Sequence, residues 1–156
     1  MVFCLCISMV AVGTPELLQK KFSLSTEMLG LQYIALIIGS LLGEQLGGSL
    51  SDMWMNLGAH RRGQRPPPEY RLWLSYIGFA FVISGLTVYL VEAQFSPAGH
   101  WSVTPIVGGA IAAFGNQVVT TVLITYAVDC NPPEALSVGL FINVIRQEWA
   151  FIGPFW

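Results

Sequence analysis

The sequence predicts an all-α protein, a bundle of helices that crosses a membrane several times. The first observation is composition: 54% of the residues are hydrophobic and 10% are charged, and the mean hydropathy is +0.62. A soluble domain carries about 25% charged residues. The second is the spacing of charges, because 20 uncharged residues separate Arg71 from Glu92 and 36 separate Glu92 from Asp129. A membrane-spanning helix needs about 20 apolar residues.

These uncharged stretches predict five helices and one long loop between the second and third helix. The predicted helices cover roughly residues 1–20, 26–52, 71–93, 101–128 and 135–155, and the loop covers about 53–70. The segments are apolar nearly all round, which is typical of helices in lipid rather than of amphipathic helices. Arg146 and Glu148 interrupt the last segment. Residues 1–11 lack a positive leader, so we interpret them as part of a helix rather than a signal peptide.

The basic residues predict the orientation. Those in or beside the long loop are Arg61, Arg62, Arg65 and Arg71. The opposite side offers Lys20 and Lys21. The positive-inside rule then places the loop in the cytoplasm, with 16–25 and 94–100 outside and 129–134 inside.

No pattern of an enzyme or of a metal site is present in the sequence. Cys4, Cys6 and Cys130 do not have metal-ligand spacing and are interpreted as small hydrophobic residues. His60 and His100 fall on opposite sides of the predicted membrane. Seven Lys and Arg residues are too few for a nucleic-acid surface. We therefore expect no catalytic residue, no cofactor, no metal and no nucleic acid, and a lipid bilayer as the surroundings.

The long loop and its flanks carry a recognisable pattern, Gly-Gly-x-x-Ser-Asp and then Arg-Arg-x-Gly-x-x-Pro-Pro-Glu-x-Arg-Leu, with small variations in spacing. Its members are Gly47, Gly48, Ser51, Asp52, Arg61, Arg62, Gly63, Pro67, Pro68, Glu69, Arg71 and Leu72. The pattern resembles the second copy of the Gly-Asp-Arg loop signature of the major facilitator superfamily, in its fungal multidrug-type branch. Residues 125–130 and 143–146 resemble the end of the tenth helix and the eleventh helix of the same branch.

The resemblance implies the fold and the function. The superfamily has twelve helices in two halves, and residues 1–156 would supply helices seven to eleven, a partial C-terminal half. The function implied is secondary transport of small molecules, driven by an ion gradient and in our interpretation by protons, with the missing first half required. A plasma membrane is preferred to a vacuolar or other internal membrane. The alternative is a truncated, transport-incompetent membrane protein that acts at most as an assembly or regulatory partner.

Two sets of residues are candidates for gating and helix packing. Asp52 with Arg61 and Arg62 is predicted to form a charged latch at the helix ends, a gating role that the resemblance also implies. The alternative is a topology signal in a solvated turn. The second set shares a four-residue spacing that puts its members on one helix face, as a sliding seam or as static packing: Gly39, Gly43 and Gly47.

Polar residues inside the predicted helices are candidates for the substrate pathway, because the resemblance implies that the fourth predicted helix is the superfamily's tenth, one of those that line the central cavity. They are Asn116, Gln117, Thr121, Thr125, Asn143 and Arg146. Arg146 lies about 18 Å from the cytoplasmic end of its helix, near the midplane, where a charge is costly without a partner. The alternatives are hydrogen bonds between helices for the polar stripe and snorkelling to an interface for Arg146. Glu44 is a candidate for proton coupling, against a structural or interfacial role.

Overall fold

All the regular structure in the described residues is helical. The computed structural model describes residues 25–64, 66–95 and 103–152. Numbered in chain order, the helices are α1 (Thr26–Arg62), α2 (Trp73–Phe95), α3 (Thr104–Cys130) and α4 (Ala135–Ile152), with 3₁₀ turns at Pro68–Leu72 and Pro132–Glu134. The predicted helix at 1–20 lies outside the described residues.

Three of these helical segments are long and apolar enough to cross a membrane. They are Gly30–Arg61, Pro68–Phe95 and Thr104–Cys130. The 18-residue helix α4 is not one of the three. Large apolar side chains on the outer faces are exposed, which is what a lipid-facing surface requires; among them are Leu31, Ile38, Leu41, Phe81 and Ile83. The prediction of an all-α membrane bundle is confirmed.

Helix α1 is longer than the sequence predicted, so the predicted loop at about 53–70 is wrong in its first half. The helix continues to Arg62 and ends at Gly63, where φ is +67°. The amide of Gly63 donates to the carbonyl oxygen of Ala59 at 2.9 Å, a left-handed helix end that favours glycine. No proline interrupts residues 53–62, and arginine is a good helix former. The ten additional residues lengthen the helix by about 15 Å.

Helix α3 lies between α1 and α2, and glycines bring the helices together on both sides. A Cβ added to Gly43 would lie 2.5 Å from the carbonyl oxygen of Phe114 on α3. On the other side, a Cβ added to Gly78 would lie 2.6 Å from a methyl group of Val119. Only a residue without a side chain permits such contacts. The most deeply buried side chain between them is Val122, on α3.

Helix α4 packs less closely than the other three. Its contacts are mainly with α3 and with the 3₁₀ turn before it. Its surface exposes Leu136, Phe141, Val144 and Phe151. The described part of the chain therefore consists of a tight unit of α1, α3 and α2, with α4 at its side.

Candidate functional site

Arg71 is a buried arginine that lies against the C-terminal part of α1, near the end of α3. It belongs to the 3₁₀ turn Pro68–Leu72, and only 8% of its surface is exposed. The turn follows Pro67, whose extended backbone has φ −63° and ψ 154°. Because proline lacks an amide hydrogen and fixes φ, the proline run keeps this segment out of a helix until the turn begins. The turn places Arg71 directly before α2.

The guanidinium group of Arg71 joins three segments of the chain. Its Nη1 donates to Ser51 Oγ at 2.9 Å and lies 3.3 Å from Asp52 Oδ1, both on α1. Its Nη2 lies 3.3 Å from Asp129 Oδ2, near the end of α3. The planar guanidinium presents several donors in a fixed fork, so one side chain serves both helices. We call Ser51, Asp52, Arg71 and Asp129 the latch.

The partners of Arg71 differ in their exposure. Ser51 is 1% exposed, whereas the side chains of Asp52 and Asp129 are 72% and 39% exposed. A buried hydrogen bond from a charged donor contributes more than an ion pair in contact with water. Arg71 Nε is buried and has no partner among the described residues. The contact with Ser51 is therefore the most strongly stabilising one, and the two carboxylates balance the charge.

A cavity of about 850 Å³ opens beside the latch. Both carboxylates line it, together with Asn56 of α1, Pro68 and Ala135 at the start of α4. With two carboxylates and one guanidinium, the latch carries one net negative charge. Among the residues with described coordinates, no group of His, Cys, Asp and Glu is arranged to bind a metal ion.

The latch differs from the one that the sequence predicted. The described ion pair of Asp52 is with Arg71, whereas the sequence predicted a latch of Asp52 with Arg61 and Arg62. Asp52 and Arg61 lie nine residues apart on one continuous helix, which separates them by about 13 Å along its axis. Arg61 is exposed, and Arg62 is the last residue of α1. The loop pattern contains Arg71, but the sequence analysis gave it no role beyond orientation.

Sequence reasoning also missed Ser51 and Asp129 as partners. Ser51 belongs to the quoted loop pattern, and Asp129 served only to mark the end of an uncharged stretch. A signal was present, because the predicted topology puts residues 53–70 and 129–134 on the same side of the membrane. Arg71, which follows the first segment, and Asp129, which begins the second, were therefore expected on the same side of the membrane.

The predicted packing glycines lie at the contact of α1 with α3. A Cβ on Gly39 would meet the carbonyl oxygen of Ala110, and one on Gly47 would lie 3.1 Å from Val118 Cα. Gly48, adjacent in sequence, has open space instead. The contacts are with backbone atoms, which cannot move aside as a flexible side chain does.

The polar residues Gln117, Thr121 and Thr125 of α3 have different neighbours. Gln117 and Thr121 face α1: a Cβ on Gly43 would lie 2.9 Å from Gln117 Cβ, and one on Gly47 would lie 3.7 Å from Thr121 Cβ. The hydroxyl of Thr125 donates to the carbonyl oxygen of Thr121 at 2.7 Å, within its own helix. The packing of Gln117 and Thr121 is therefore between helices, whereas the hydrogen bond of Thr125 is within α3.

Three further candidates lie apart from these contacts. Asn116 Oδ1 is buried and has no hydrogen-bond partner in the described part of the chain. Asn143 is exposed and Arg146 half-buried on α4. No hydrogen bond or ion pair links them to the stripe on α3 within the described ranges. Glu44 is exposed on α1 and has no ion pair within those ranges.

Comparison with known proteins gives one consistent group of relatives. The chain is 34% identical to the MFS-type transporter penM of Penicillium rubens over 129 residues, 83% of this chain and 25% of the relative. It is 32% identical to the probable efflux pump mfs2 of Aspergillus flavus over 130 residues, 83% of this chain and 30% of the relative. It is 27% identical to the MFS antiporter QDR3 of Candida albicans over 140 residues, 90% of this chain and 20% of the relative. No family model and no solved structure matches.

These similarities, with three helices able to span a bilayer, define an integral membrane protein. The chain belongs to the major facilitator superfamily, and the relatives that it matches are fungal proteins named as transporters. It spans about a quarter of the length of the curated relatives it matches: 25%, 30% and 27% of the first three.

Proposed function

We propose that the chain is the region of helices seven to eleven of a major facilitator superfamily carrier. The carrier moves small molecules across the membrane by secondary, proton-coupled transport. The relatives support the transport function, because one is named a probable efflux pump and another an antiporter. The share of each relative that the chain matches supports its being one part of a longer carrier. The missing first half would supply the other wall of the pathway.

The latch is the observation that carries this proposal. A secondary carrier works by moving two halves about a central site, so each half needs helix ends that keep a fixed geometry while the halves move. Arg71 links Ser51 of α1 and Asp129 near the end of α3 to the start of α2, through contacts at 2.9 and 3.3 Å. With the arginine-rich segment in the cytoplasm, the latch stabilises the cytoplasmic end of the half. Asp52 takes a gating role through Arg71 rather than through Arg61 or Arg62.

The substrate pathway is proposed along α3 and α4. Asn116 is the strongest member on α3, because its buried Oδ1 has no partner in the residues described. An unsatisfied buried acceptor is costly, and a substrate donor or a group of the other half would satisfy it. Arg146 would bind an anionic substrate group or pair with a carboxylate of the other half. Glu44 remains a proposed proton site. Its side chain is exposed on α1, so the described residues do not enclose it.

Efflux by the protein that contains this chain tests the proposal. It is expressed in yeast lacking its own drug exporters, and export of a fluorescent dye panel is measured at equal abundance in the membrane. We expect Arg71→Ala to abolish export and Arg71→Lys to retain part of it. Arg61→Ala is the matched control, since Arg61 is exposed and outside the latch. Normal export by Arg71→Ala would contradict the proposed role of the latch.

The length of the native product separates the two alternatives. The transcript and the protein are measured in the source cell. A product with about twelve hydrophobic segments supports the carrier. A product without the first half, together with absence of export, favours the transport-incompetent membrane protein.

A further inference from the structure

The C-terminal third of α1 contacts the segment before α2 through two aromatic rings. Trp54 and Tyr70 stack with their ring centroids 5.6 Å apart and their planes 14° apart. The indole Nε1 of Trp54 also donates to the carbonyl oxygen of Tyr70 at 3.3 Å. One side chain therefore contacts both the ring and the backbone of Tyr70. Such a pair restricts the position and the rotation of the segment together.

A glycine makes room for this contact. A Cβ added to Gly58 would lie 2.6 Å from Tyr70 Cε1 and 3.3 Å from Pro66 Cγ. The ring of Tyr70 therefore lies against the helix backbone, with the buried Pro66 beside it. We call Trp54, Gly58, Pro66 and Tyr70 the clasp.

The clasp and the latch use one face of α1. Ser51, Trp54 and Gly58 follow one another at intervals of three and four residues, which places them on the same side of the helix. The next residue after Tyr70 is Arg71, whose Nη1 donates to Ser51. Fixing the backbone at Tyr70 therefore fixes the position of the Arg71 Cα. Trp54, which contacts Tyr70, lies about one helical turn from Ser51, the acceptor for Arg71.

We propose that Trp54 is a positioning residue for Arg71: the clasp sets the backbone of the 3₁₀ turn so that the guanidinium covers Ser51 and reaches Asp129. This inference rests on the proposed gating role of the latch. The ion pairs of the latch are partly exposed, so salt screens them and they restrain a long side chain weakly. Stacking and apolar contact are not screened in this way. The clasp supplies the restraint that the charges lack.

A buried reporter cysteine tests this in the full 156-residue chain. Cys4, Cys6 and Cys130 are replaced by serine, and Ser51→Cys is introduced, where the native residue is 1% exposed. The thiol is a weaker acceptor for Arg71 than the serine hydroxyl, so the parent and every variant carry the same substitution and only their ratios are interpreted. The protein is placed in lipid nanodiscs, and the rate of reaction with a small hydrophilic maleimide reports how often Arg71 uncovers this position. A parallel protein carries Val122→Cys, since Val122 is 0% exposed in the core and reports general loosening.

Four proteins are compared with each reporter: the parent, Trp54→Leu, Trp54→Phe and Trp73→Leu. Trp73 is the matched control, because it is 65% exposed and tilted by 51° against Tyr76, outside the clasp. We expect position 51 of Trp54→Leu to react about 10- to 30-fold faster than that of the parent, because one stacked pair and one hydrogen bond are lost. Trp54→Phe keeps a ring and is expected to fall between. Trp73→Leu is expected to match the parent.

Salt dependence distinguishes positioning from a merely structural role. Without the clasp the position of Arg71 depends more on the partly exposed ion pairs, which salt screens, so the rate for Trp54→Leu should rise further between about 0.05 M and about 1 M salt, more than the parent rate. Equal rates for Trp54→Leu and the parent at position 51 would overturn the proposal. Equal acceleration at positions 51 and 122 would also overturn it. The assay needs no transport, so a failed clasp leaves the efflux proposal standing, and absence of efflux leaves the clasp result intact.

Discussion

Replacing Arg71 tests the central contact of the site in the isolated chain. Arg71→Ala removes the donor to Ser51 and both ion pairs at once. It leaves the buried hydroxyl of Ser51 without that donor, and it leaves two carboxylates close together without their cation. Each consequence destabilises the folded state relative to the unfolded state.

The size of the effect follows from the exposure of each partner. The buried contact of charged Arg71 with Ser51 contributes about 1.5–3 kcal/mol. The pairs with Asp52 and Asp129 add about 0–1 kcal/mol each, and Asp52 lies at the low end because its side chain is 72% exposed. We expect Arg71→Ala to lower the free energy of unfolding by about 2–4 kcal/mol. Arg71→Lys should lower it by about 1–2 kcal/mol, because one ammonium group cannot replace the two-sided fork.

Unfolding of the purified chain by SDS in mixed micelles, followed by far-ultraviolet circular dichroism, measures these differences. Arg61→Ala is the control, since it removes an exposed arginine from the end of the same helix that carries Ser51 and Asp52. It should change the free energy of unfolding by less than about 0.5 kcal/mol. If Arg71→Ala and Arg61→Ala unfold at the same SDS fraction, the guanidinium does not stabilise the association of α1 with α3, and the reasoning is refuted.

Three further predictions concern the packing, the clasp and the pathway. Gly43→Ala should lower the free energy of unfolding in SDS by about 1–3 kcal/mol, because its Cβ meets a backbone carbonyl at 2.5 Å, whereas Gly48→Ala, with open space, should not lower it. Gly58→Ala should displace the clasp ring and accelerate the reaction of the reporter cysteine under the latch, and an unchanged rate would contradict the close contact seen here. In the efflux assay Arg146→Ala should abolish export of anionic substrates, and Thr125→Val should leave export nearly unchanged because that hydroxyl already bonds within its helix.

The sequence predicted helices well where charges mark their ends. The prediction of 71–93 compares with Trp73–Phe95 in the structure, and that of 101–128 with Thr104–Cys130. Long apolar runs fix such helices because lipid requires every backbone group to be satisfied internally. The end of α1 could not be placed in this way. The same arginines are compatible with a helix that continues beyond the apolar run and with a loop. In the sequence, only the absence of proline up to residue 65 favours the helix.

The site was less predictable than the helices. The sequence put Asp52 and the arginines at one end of the bundle, but the choice of partner depends on rotation about each helix axis and on the path of the turn. Arg71 reaches Ser51 because the chain returns onto α1 after the proline run, where Tyr70 also stacks on Trp54. That is a tertiary contact between residues about 20 positions apart, and hydropathy carries no information about it.

The arrangement of the glycines bears on how the chain would move in a carrier. The face of α1 that packs on α3 through Gly43 and Gly47 continues, one turn later, into Ser51 under the latch. Sliding α3 along this face would cause steric clashes between the backbones of α1 and α3. It would also lengthen the 3.3 Å contact of Arg71 with Asp129. Both costs apply to the same displacement, which favours static packing over a sliding seam. Since α4 packs lightly at the side of this unit, we expect conformational change to move α4 against α3 and to leave α1, α2 and α3 together.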